Sequence, residues 1–138
     1  MANPLTKLFI RTHVGLYRLT RGMIGGRMGS NQILLLTTTG RKSGKSRTTP
    51  LVYFRDKASF IIVASNGGAQ QHPAWYHNLT ADHKASIMVR DKTINVKAVE
   101  ATGKERERLW KMITGKAEQF SQYQEQTDRE IPVMVLRR

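Results

Sequence analysis

The sequence predicts a mainly β (α+β) fold, in which an antiparallel barrel carries helices at its periphery. Strand-like segments outnumber helical ones along the 138 residues, and short connections separate most of them. The dipeptides Asp56-Lys57 and Asp91-Lys92 mark two tight hairpin turns, which join antiparallel strands. A parallel doubly wound sheet needs a helix between successive strands, so the two hairpins exclude it. The chain length suits one domain with one core.

The N-terminal residues differ in pattern from the rest of the chain. Residues 4–21 place apolar side chains at helical spacing and basic side chains on another face, which predicts a basic amphipathic helix. Four glycines between Arg21 and Ser30 predict a flexible joint. We therefore expect a helix and joint over residues 1–30, followed by a barrel domain over residues 31–138.

Runs rich in β-branched and aromatic residues predict six strands. They cover residues 33–39, 48–55, 59–65, 84–90, 93–101 and 131–136. Between the third and fourth runs, Pro73 stands where a helix of about two turns begins and continues through Leu79. Residues 103–126 are charged and helical in pattern, which predicts a second helical region.

The segment GRKSGKS at residues 40–46 is close to a nucleotide-binding P-loop in composition but fails the motif. A P-loop has a glycine five positions before its Gly-Lys pair, where this chain has Thr39. The residues that follow are strand-like and include Pro50, whereas a P-loop leads into a helix whose N-terminus binds phosphate. The sequence therefore excludes an ATPase or GTPase of the P-loop class.

The charge is large and unevenly distributed. The formal net charge is +13, and no acidic residue precedes Asp56. This predicts an anionic partner: nucleic acid, an anionic membrane or a polyanionic small molecule. No aromatic residue lies between Ser30 and Pro50, which argues against single-strand recognition and leaves duplex backbone binding open. The absence of cysteine excludes disulfides, thiolate metal sites and a cysteine nucleophile.

Three ordered motifs resemble the deazaflavin (F420)-dependent nitroreductase and F420H2-dependent quinone reductase family of actinobacteria. They are GRKSGKSRTTPLVYF, VASNGGAQQHPAWYHNL and YQEQTDREIPV, and the resemblance covers about residues 15–138. It implies a split β-barrel related to flavin-mononucleotide-binding proteins. It also implies an oxidoreductase that uses reduced coenzyme F420 as a two-electron hydride donor. The implied acceptors are quinones, nitroaromatics or other activated conjugated compounds.

The resemblance also implies a set of coenzyme contacts. Coenzyme F420 joins a flat deazaflavin head to a phosphodiester and an oligoglutamate tail, and a turn bearing Arg41, Lys42, Lys45 and Arg47 suits such a polyanion. Many relatives carry lysine where this chain has Asn66, so one cationic contact is missing. The implied cofactor-binding residues are Arg41, Lys42, Ser43, Arg47, Thr48, Thr49, Pro50, Leu51, Val52, Val63, Ala64, Ser65, Asn66, Ala74, Trp75, Tyr76, His77, Asn78 and Phe120.

The implied catalytic residues are Ser65 and Tyr123, whose hydroxyls would hydrogen-bond the deazaflavin head or the substrate and supply a proton. No metal site is expected, because His72 and His77 fall on different helical faces and no cysteine or spaced carboxylate completes a ligand set. A Ser65-His72-Asp82 triad is weaker still, because the chain has no G-x-S-x-G elbow.

Several alternatives stay open at this point. The basic turn could be an exposed hairpin without a ligand, and Trp75 could fill the core rather than line a pocket. Residues 127–130 are expected to be a helix end tied by local ion pairs. Residues 4–21 could contact the inner face of the cell membrane or pack on the barrel.

Two other functions remain as alternatives: a flavin-mononucleotide oxidoreductase on the same barrel, and a non-enzymatic basic protein that binds nucleic acid. We expect the deazaflavin enzyme, with a small-molecule electron acceptor and no nucleic-acid partner. No apolar run is long enough to cross a bilayer and no signal-peptide core is present, so we expect a cytoplasmic protein. The sequence leaves the oligomeric state open.

Overall fold

The computed structural model describes residues 27–28 and 31–138. Its strands are β1 (Arg27–Met28), β2 (Asn31–Thr39), β3 (Ser46–Asp56), β4 (Ser59–Val63), β5 (Lys84–Val89), β6 (Lys92–Glu100) and β7 (Val133–Arg137). Its helices are α1 (Ala74–Ala81), α2 (Gly103–Lys116) and α3 (Gln119–Glu125), with a 3-10 turn at Asn66–Gly68. The predicted helix over residues 4–21 lies outside the described residues, as does the predicted joint except for β1.

The described strands form one antiparallel sheet that closes on itself. The strand order is β1-β2-β3-β4-β7-β6-β5, and β2 also pairs with β5 through Leu35 and Met88. Strands β2 to β7 therefore make a closed six-stranded barrel, and the short β1 extends β2 at one side. The mainly β barrel with peripheral helices that the sequence predicted is confirmed.

Successive side chains of a strand point to opposite faces of the sheet. The buried apolar residues therefore form two clusters, one inside the barrel and one on its outer face. Leu34 and Leu36 of β2 point into the barrel, where they pack with Phe60, Ile62 and Leu136. The intervening residues of β4 and β7 face outwards and would be exposed if nothing covered them. Successive residues of β4 are buried on both faces, which explains why its sequence is a continuous apolar run rather than an alternating one.

Helices α2 and α3 cover the outer face of β4 and β7. Leu109 and Ile113 of α2, together with Phe120 of α3, pack against Ile61 and Val135. This amphipathic packing is the reason that the charged segment after β6 folds as helix, because its apolar side chains recur at helical spacing. None of the helices in the described part of the chain is long and apolar enough to span a bilayer.

Most strand ends differ from the predicted ones by one or two residues, and two differences have a clear structural cause. The predicted helix over 103–126 is broken at Ala117, which is extended and buried against the second cluster. The predicted strand over 59–65 stops at Val63, because the chain turns at Asn66 and Gly67 with positive φ angles of 48° and 65°. The hairpin turns fall at residues 57–58 and 90–91, within one position of the predicted dipeptides.

Leu109 tests the packing of α2 on the barrel, since its side chain is fully buried. We expect Leu109→Ala to lower the free energy of unfolding by about 2–5 kcal/mol, measured by urea denaturation with circular dichroism. Lys111→Ala, on the exposed side of the same helix, should change it by less than about 0.5 kcal/mol. Equal losses in the two variants would show that α2 does not seal the outer face.

Candidate functional site

The basic turn between β2 and β3 is held tightly by its own backbone. The Gly40 N–H donates to the Lys45 carbonyl at 2.8 Å, and the Gly44 N–H donates to the Gly40 carbonyl at 2.8 Å. A Cβ on Gly40 would lie 2.7 Å from the Ser43 hydroxyl oxygen and 3.2 Å from the Lys45 carbonyl oxygen, so a side chain there would displace these groups. The turn therefore presents its exposed residues, Arg41 among them, from a compact backbone.

Asn78 of α1 fixes the position of this turn relative to the barrel. Its Oδ1 accepts a hydrogen bond from the Arg41 backbone N–H at 3.0 Å, and its Nδ2 donates to Thr38 Oγ1 at 3.1 Å. The Asn78 side chain is buried, so both ends of the amide are satisfied by protein groups. Its partners are 37 and 40 residues away in the chain, and nothing in the local sequence indicates them.

A cavity of about 570 Å³ lies between the basic turn, the first part of β3 and α1. We call it the coenzyme cleft, after the cofactor contacts that the sequence predicts there, and its size is typical of small-molecule sites. It is lined by Gly40, Arg41, Lys42, Ser43, Ser46, Arg47, Thr48, Thr49, Ala74, Trp75 and Asn78. Cations, hydroxyls and an indole ring line this space, so the cleft can hold an anion beside a flat apolar group.

The structure brings nine of the predicted site residues together in this cleft. They are Arg41, Lys42, Ser43, Arg47, Thr48, Thr49, Ala74, Trp75 and Asn78. Trp75 both lines the cleft and packs in the barrel core, so the two roles considered for it coincide. Gly40 and Ser46 of the basic turn also line the cleft, and neither was among the predicted cofactor-binding residues. Lys45 belongs to the turn but is not among the residues that line the cleft.

Three further predicted residues, Pro50, Leu51 and Val52, continue along β3 beyond the cleft. They pair with β2, where Pro50 lies opposite Leu35. Strand β4 pairs with β3 only from Tyr53 onwards, so residues 49–52 have a single ladder partner among the described strands. This is the edge-like environment that a proline tolerates and that a ligand can approach.

The other predicted residues lie away from the cleft lining. Val63, Ala64, Ser65 and Asn66 form the end of β4 and the start of the 3-10 turn. This turn packs against α3, because a Cβ on Gly68 would lie 3.1 Å from the Tyr123 carbonyl oxygen.

Phe120 and Tyr123 meet edge to face on α3, with ring centroids 5.7 Å apart. Tyr76 and His77 lie on α1, and their rings are near His72. The predicted proton donors Ser65 and Tyr123 thus belong to a second group around the turn, and neither lines the coenzyme cleft.

Arg129 holds the segment that joins β4 to α1. Its guanidinium donates to the carbonyls of Ser65 at 2.8 Å, Ala69 at 2.9 Å and Ala64 at 3.1 Å. The expected local ion pairs over residues 127–130 are wrong: Arg129 bonds to carbonyls 60 or more residues away, and Glu130 pairs with Arg106 at 3.1 Å. The reason is that these carbonyls have no strand partner and need a donor with several N–H groups.

The His72 ring completes the Arg129 contacts. A guanidinium can only donate, so the 3.0 Å contact between Arg129 Nη1 and His72 Nδ1 makes Nδ1 an acceptor and places the ring proton on Nε2. Burial lowers the pKa of His72, and the nearby Arg129 and His77 lower this pKa further, so the ring is held neutral. The expectation that His72 and His77 point to different faces is wrong, because His72 precedes α1 and the two ring centroids are 5.7 Å apart.

Tyr76 stacks on His72, with ring centroids 4.5 Å apart, and its hydroxyl donates to Glu100 at 2.5 Å. Burial, with this hydrogen bond, raises the pKa of Tyr76 to about 12. Within the described residues, no group of three His, Cys, Asp or Glu side chains is placed to hold a metal ion.

Arg129→Gln tests the assigned protonation state of His72. We expect the pKa of His72, followed by NMR of its ring protons, to rise towards its ordinary value of about 6.5, because the positive neighbour is removed and the segment loosens. The matched control is Arg108→Gln, because the guanidinium of Arg108 pairs with Asp56 at 2.9 Å and not with the His72 segment. An unchanged His72 pKa in Arg129→Gln would contradict the assigned contact.

The same contact predicts how stability depends on pH. The pKa of His72 is lower in the folded protein than in the unfolded chain, so its stabilising effect is complete above about pH 6.5 and is lost as the pH falls through the folded-state pKa. Denaturant titrations should show this loss in the wild type and a shallower one in Arg129→Gln. A steeper dependence in the variant would refute the role of Arg129.

The closed barrel and its cleft define a split β-barrel protein with a cavity lined by cations, hydroxyls and an indole ring. The family model of the F420H(2)-dependent quinone reductases matches residues 9–138. F420H(2)-dependent quinone reductase Rv1261c of Mycobacterium tuberculosis is 43% identical over 133 residues, which are 94% of this chain and 89% of that protein.

Two solved structures are also similar to this chain. The structure of an F420-H2 dependent reductase, FDR-A, shares 41% identity with a TM-score of 0.70, and the match covers 75% of this chain and 92% of that one. A domain-swapped dimer shares 35% identity with a TM-score of 0.72, over 97% of this chain and 99% of that one. The chain therefore belongs to the F420H(2)-dependent quinone reductase family. The family and split-barrel fold predicted from the sequence are confirmed, and coenzyme F420 is the cofactor of this family.

Proposed function

We propose that this protein reduces quinones with reduced coenzyme F420 as the hydride donor, and that the coenzyme cleft holds the coenzyme. The family match supports the reaction and does not favour either a flavin-mononucleotide enzyme or a nucleic-acid binder. The observation that carries the site is the convergence of Arg41, Lys42 and Arg47 on one cavity that Trp75 also lines.

The chemistry of the cleft fits the coenzyme. A phosphodiester and glutamate carboxylates need cationic and hydroxyl donors, which the basic turn and Ser43 supply. A flat head needs an apolar wall and an approachable backbone, which Trp75 and residues 49–52 offer. The proposed contacts therefore include Pro50, Leu51 and Val52, in continuity with the threonines that line the cleft.

The protein residues bind the coenzyme, orient it towards the quinone and exclude water from the reaction. Reduction of a quinone to a hydroquinone takes up one hydride and one proton, and bound F420H2 supplies the hydride. Asn78 holds the turn that carries Arg41, so the anion site is preorganised before binding. Ser65 and Tyr123 remain the proposed hydrogen-bond donors to head or substrate, and the Arg129 contacts hold Ser65 in place.

The range of acceptors and the cellular location are also proposals. Nitroaromatics and other activated conjugated compounds share the electron-poor π-system of a quinone, so the same hydride transfer extends to them. We place the protein in the cytoplasm at the inner face of the membrane, where a lipid-soluble quinone is found. The support is the basic amphipathic pattern of residues 4–21, since each basic residue near an anionic surface adds about 1 kcal/mol of attraction.

Substitutions in the basic turn test the coenzyme assignment. We expect Arg47→Ala or Lys42→Ala to raise the Kd for F420, measured by coenzyme fluorescence, by about tenfold, because each removes a charge-assisted contact. Turnover at saturating coenzyme should change much less, because these contacts are far from the transferred hydride.

Lys45→Ala is the matched control, since Lys45 belongs to the same turn and carries the same charge but does not line the cleft. Its Kd should stay within about twofold of the wild type. An unchanged Kd in Arg47→Ala, or an equal loss in Lys45→Ala, would show that the coenzyme is not held in this cavity.

A further inference from the structure

A second cavity of about 590 Å³ adjoins the coenzyme cleft at the same end of the barrel. We call it the outer groove, and its walls come from β2, β5, β6 and residue Arg138. The two cavities share Ser46, the first residue of β3, so the outer groove begins where the basic turn ends.

Strand register arranges the groove as a row of side chains. Ser46 lies opposite Thr39, and Lys84 lies opposite Lys97. Strands β2 and β5 pair as far as Thr37 and Ser86, and past that pair Thr39 and Lys84 both line the groove. Residues that face each other across paired strands share one face of the sheet, so the row runs from Ser46 and Thr39 to Lys84 and Lys97.

The charge along this row is not balanced by the protein. Lys84 and Lys97 are like charges placed directly opposite each other, an arrangement that destabilises a sheet. Arg138 also belongs to the lining, whose one acidic side chain is Asp82. Asp82 accepts a hydrogen bond from the Lys84 backbone N–H at 3.1 Å. Among the ion pairs of the described residues, none involves Lys84 or Lys97.

We propose that the outer groove binds the distal glutamates of the coenzyme's oligoglutamate tail. This inference rests on the proposed function, because the groove is reached from the coenzyme cleft at Ser46. The phosphodiester and first glutamates occupy the basic turn, and carboxylates further along the tail neutralise first Lys84 and then Lys97. The groove therefore makes the protein sensitive to tail length, and a coenzyme with a short tail does not reach it.

Titrations with coenzymes of different tail length test this proposal. The probes are the deazaflavin head without phosphate or tail, F420 with a short tail and F420 with a long tail, each followed by fluorescence. We expect the wild type to bind the long-tailed form about three- to tenfold more tightly than the short-tailed form, with a difference that shrinks as salt is added. Lys97→Glu should abolish this preference without changing the Kd of the short-tailed form.

Lys111→Glu provides a control with the same change of net charge, on the exposed side of α2 outside both cavities. It should keep the preference for long tails. Lys97→Glu also places opposite charges across β5 and β6, so we expect it to raise the Tm of the coenzyme-free protein. A Lys97→Glu variant that is more stable and yet has lost the preference for long tails shows that Lys97 binds the tail, because damage to the fold would lower stability. Lys97→Gln should give an intermediate preference and an intermediate Tm.

Three outcomes would overturn the inference. The first is equal affinity of the wild type for short-tailed and long-tailed F420. In that case the cleft assignment would still stand if Arg47→Ala weakened the binding of both forms. If Lys97→Glu and Lys111→Glu changed the preference for long tails equally, the preference would come from the net charge of the protein and not from the groove. If Lys97→Glu instead abolished binding to phosphatidylserine vesicles and kept the tail preference, the groove would face lipid. Failure of every coenzyme form to bind the wild type would reject the proposed function itself.

Discussion

The buried amide of Asn78 joins the barrel, the first helix and the basic turn, and the coenzyme cleft depends on it. One end accepts from the Arg41 backbone and the other donates to Thr38, so α1 cannot shift without leaving a buried polar group unsatisfied. Trp75 lies on the same short helix and lines the same cleft. A single side chain thus ties the turn that carries Arg41 to the helix that carries Trp75.

Part of the positive charge of the protein lies where it can act on a ligand. A net charge of +13 disfavours the compact state through self-repulsion and speeds the approach of an anion. The like-charged pair of Lys84 and Lys97 shows the same balance at one point of the sheet, since it opposes folding and, under the proposal for the outer groove, favours binding. A site of this kind is least stable when empty, so the coenzyme should stabilise the fold by more than its contact area suggests.

Local sequence patterns predicted the barrel. Contacts between residues far apart in the chain determine the geometry of the cleft and of the groove, and local patterns do not reveal them. The hairpins, the strand runs and the Pro73 helix start depend on neighbouring residues, which the sequence displays directly. The contacts of Asn78 and Arg129 join residues that are 37 to 65 positions apart, so no local signal indicates them. The outer groove depends on the register between β2 and β5, which only the closed sheet defines. Composition and the three family motifs predicted the basic turn. Lys45 belongs to this turn, but it does not line the cleft.

The partly unpaired stretch of β3 at residues 49–52 has a consequence for self-association. An exposed strand edge is a template on which another chain can add a strand and begin to aggregate. Pro50 lacks an N–H at the middle of this stretch, and Arg47 places a positive charge beside it, so a second molecule gains few hydrogen bonds and meets repulsion. The protein can therefore keep this backbone open to a small ligand without becoming prone to form sheets with its own copies.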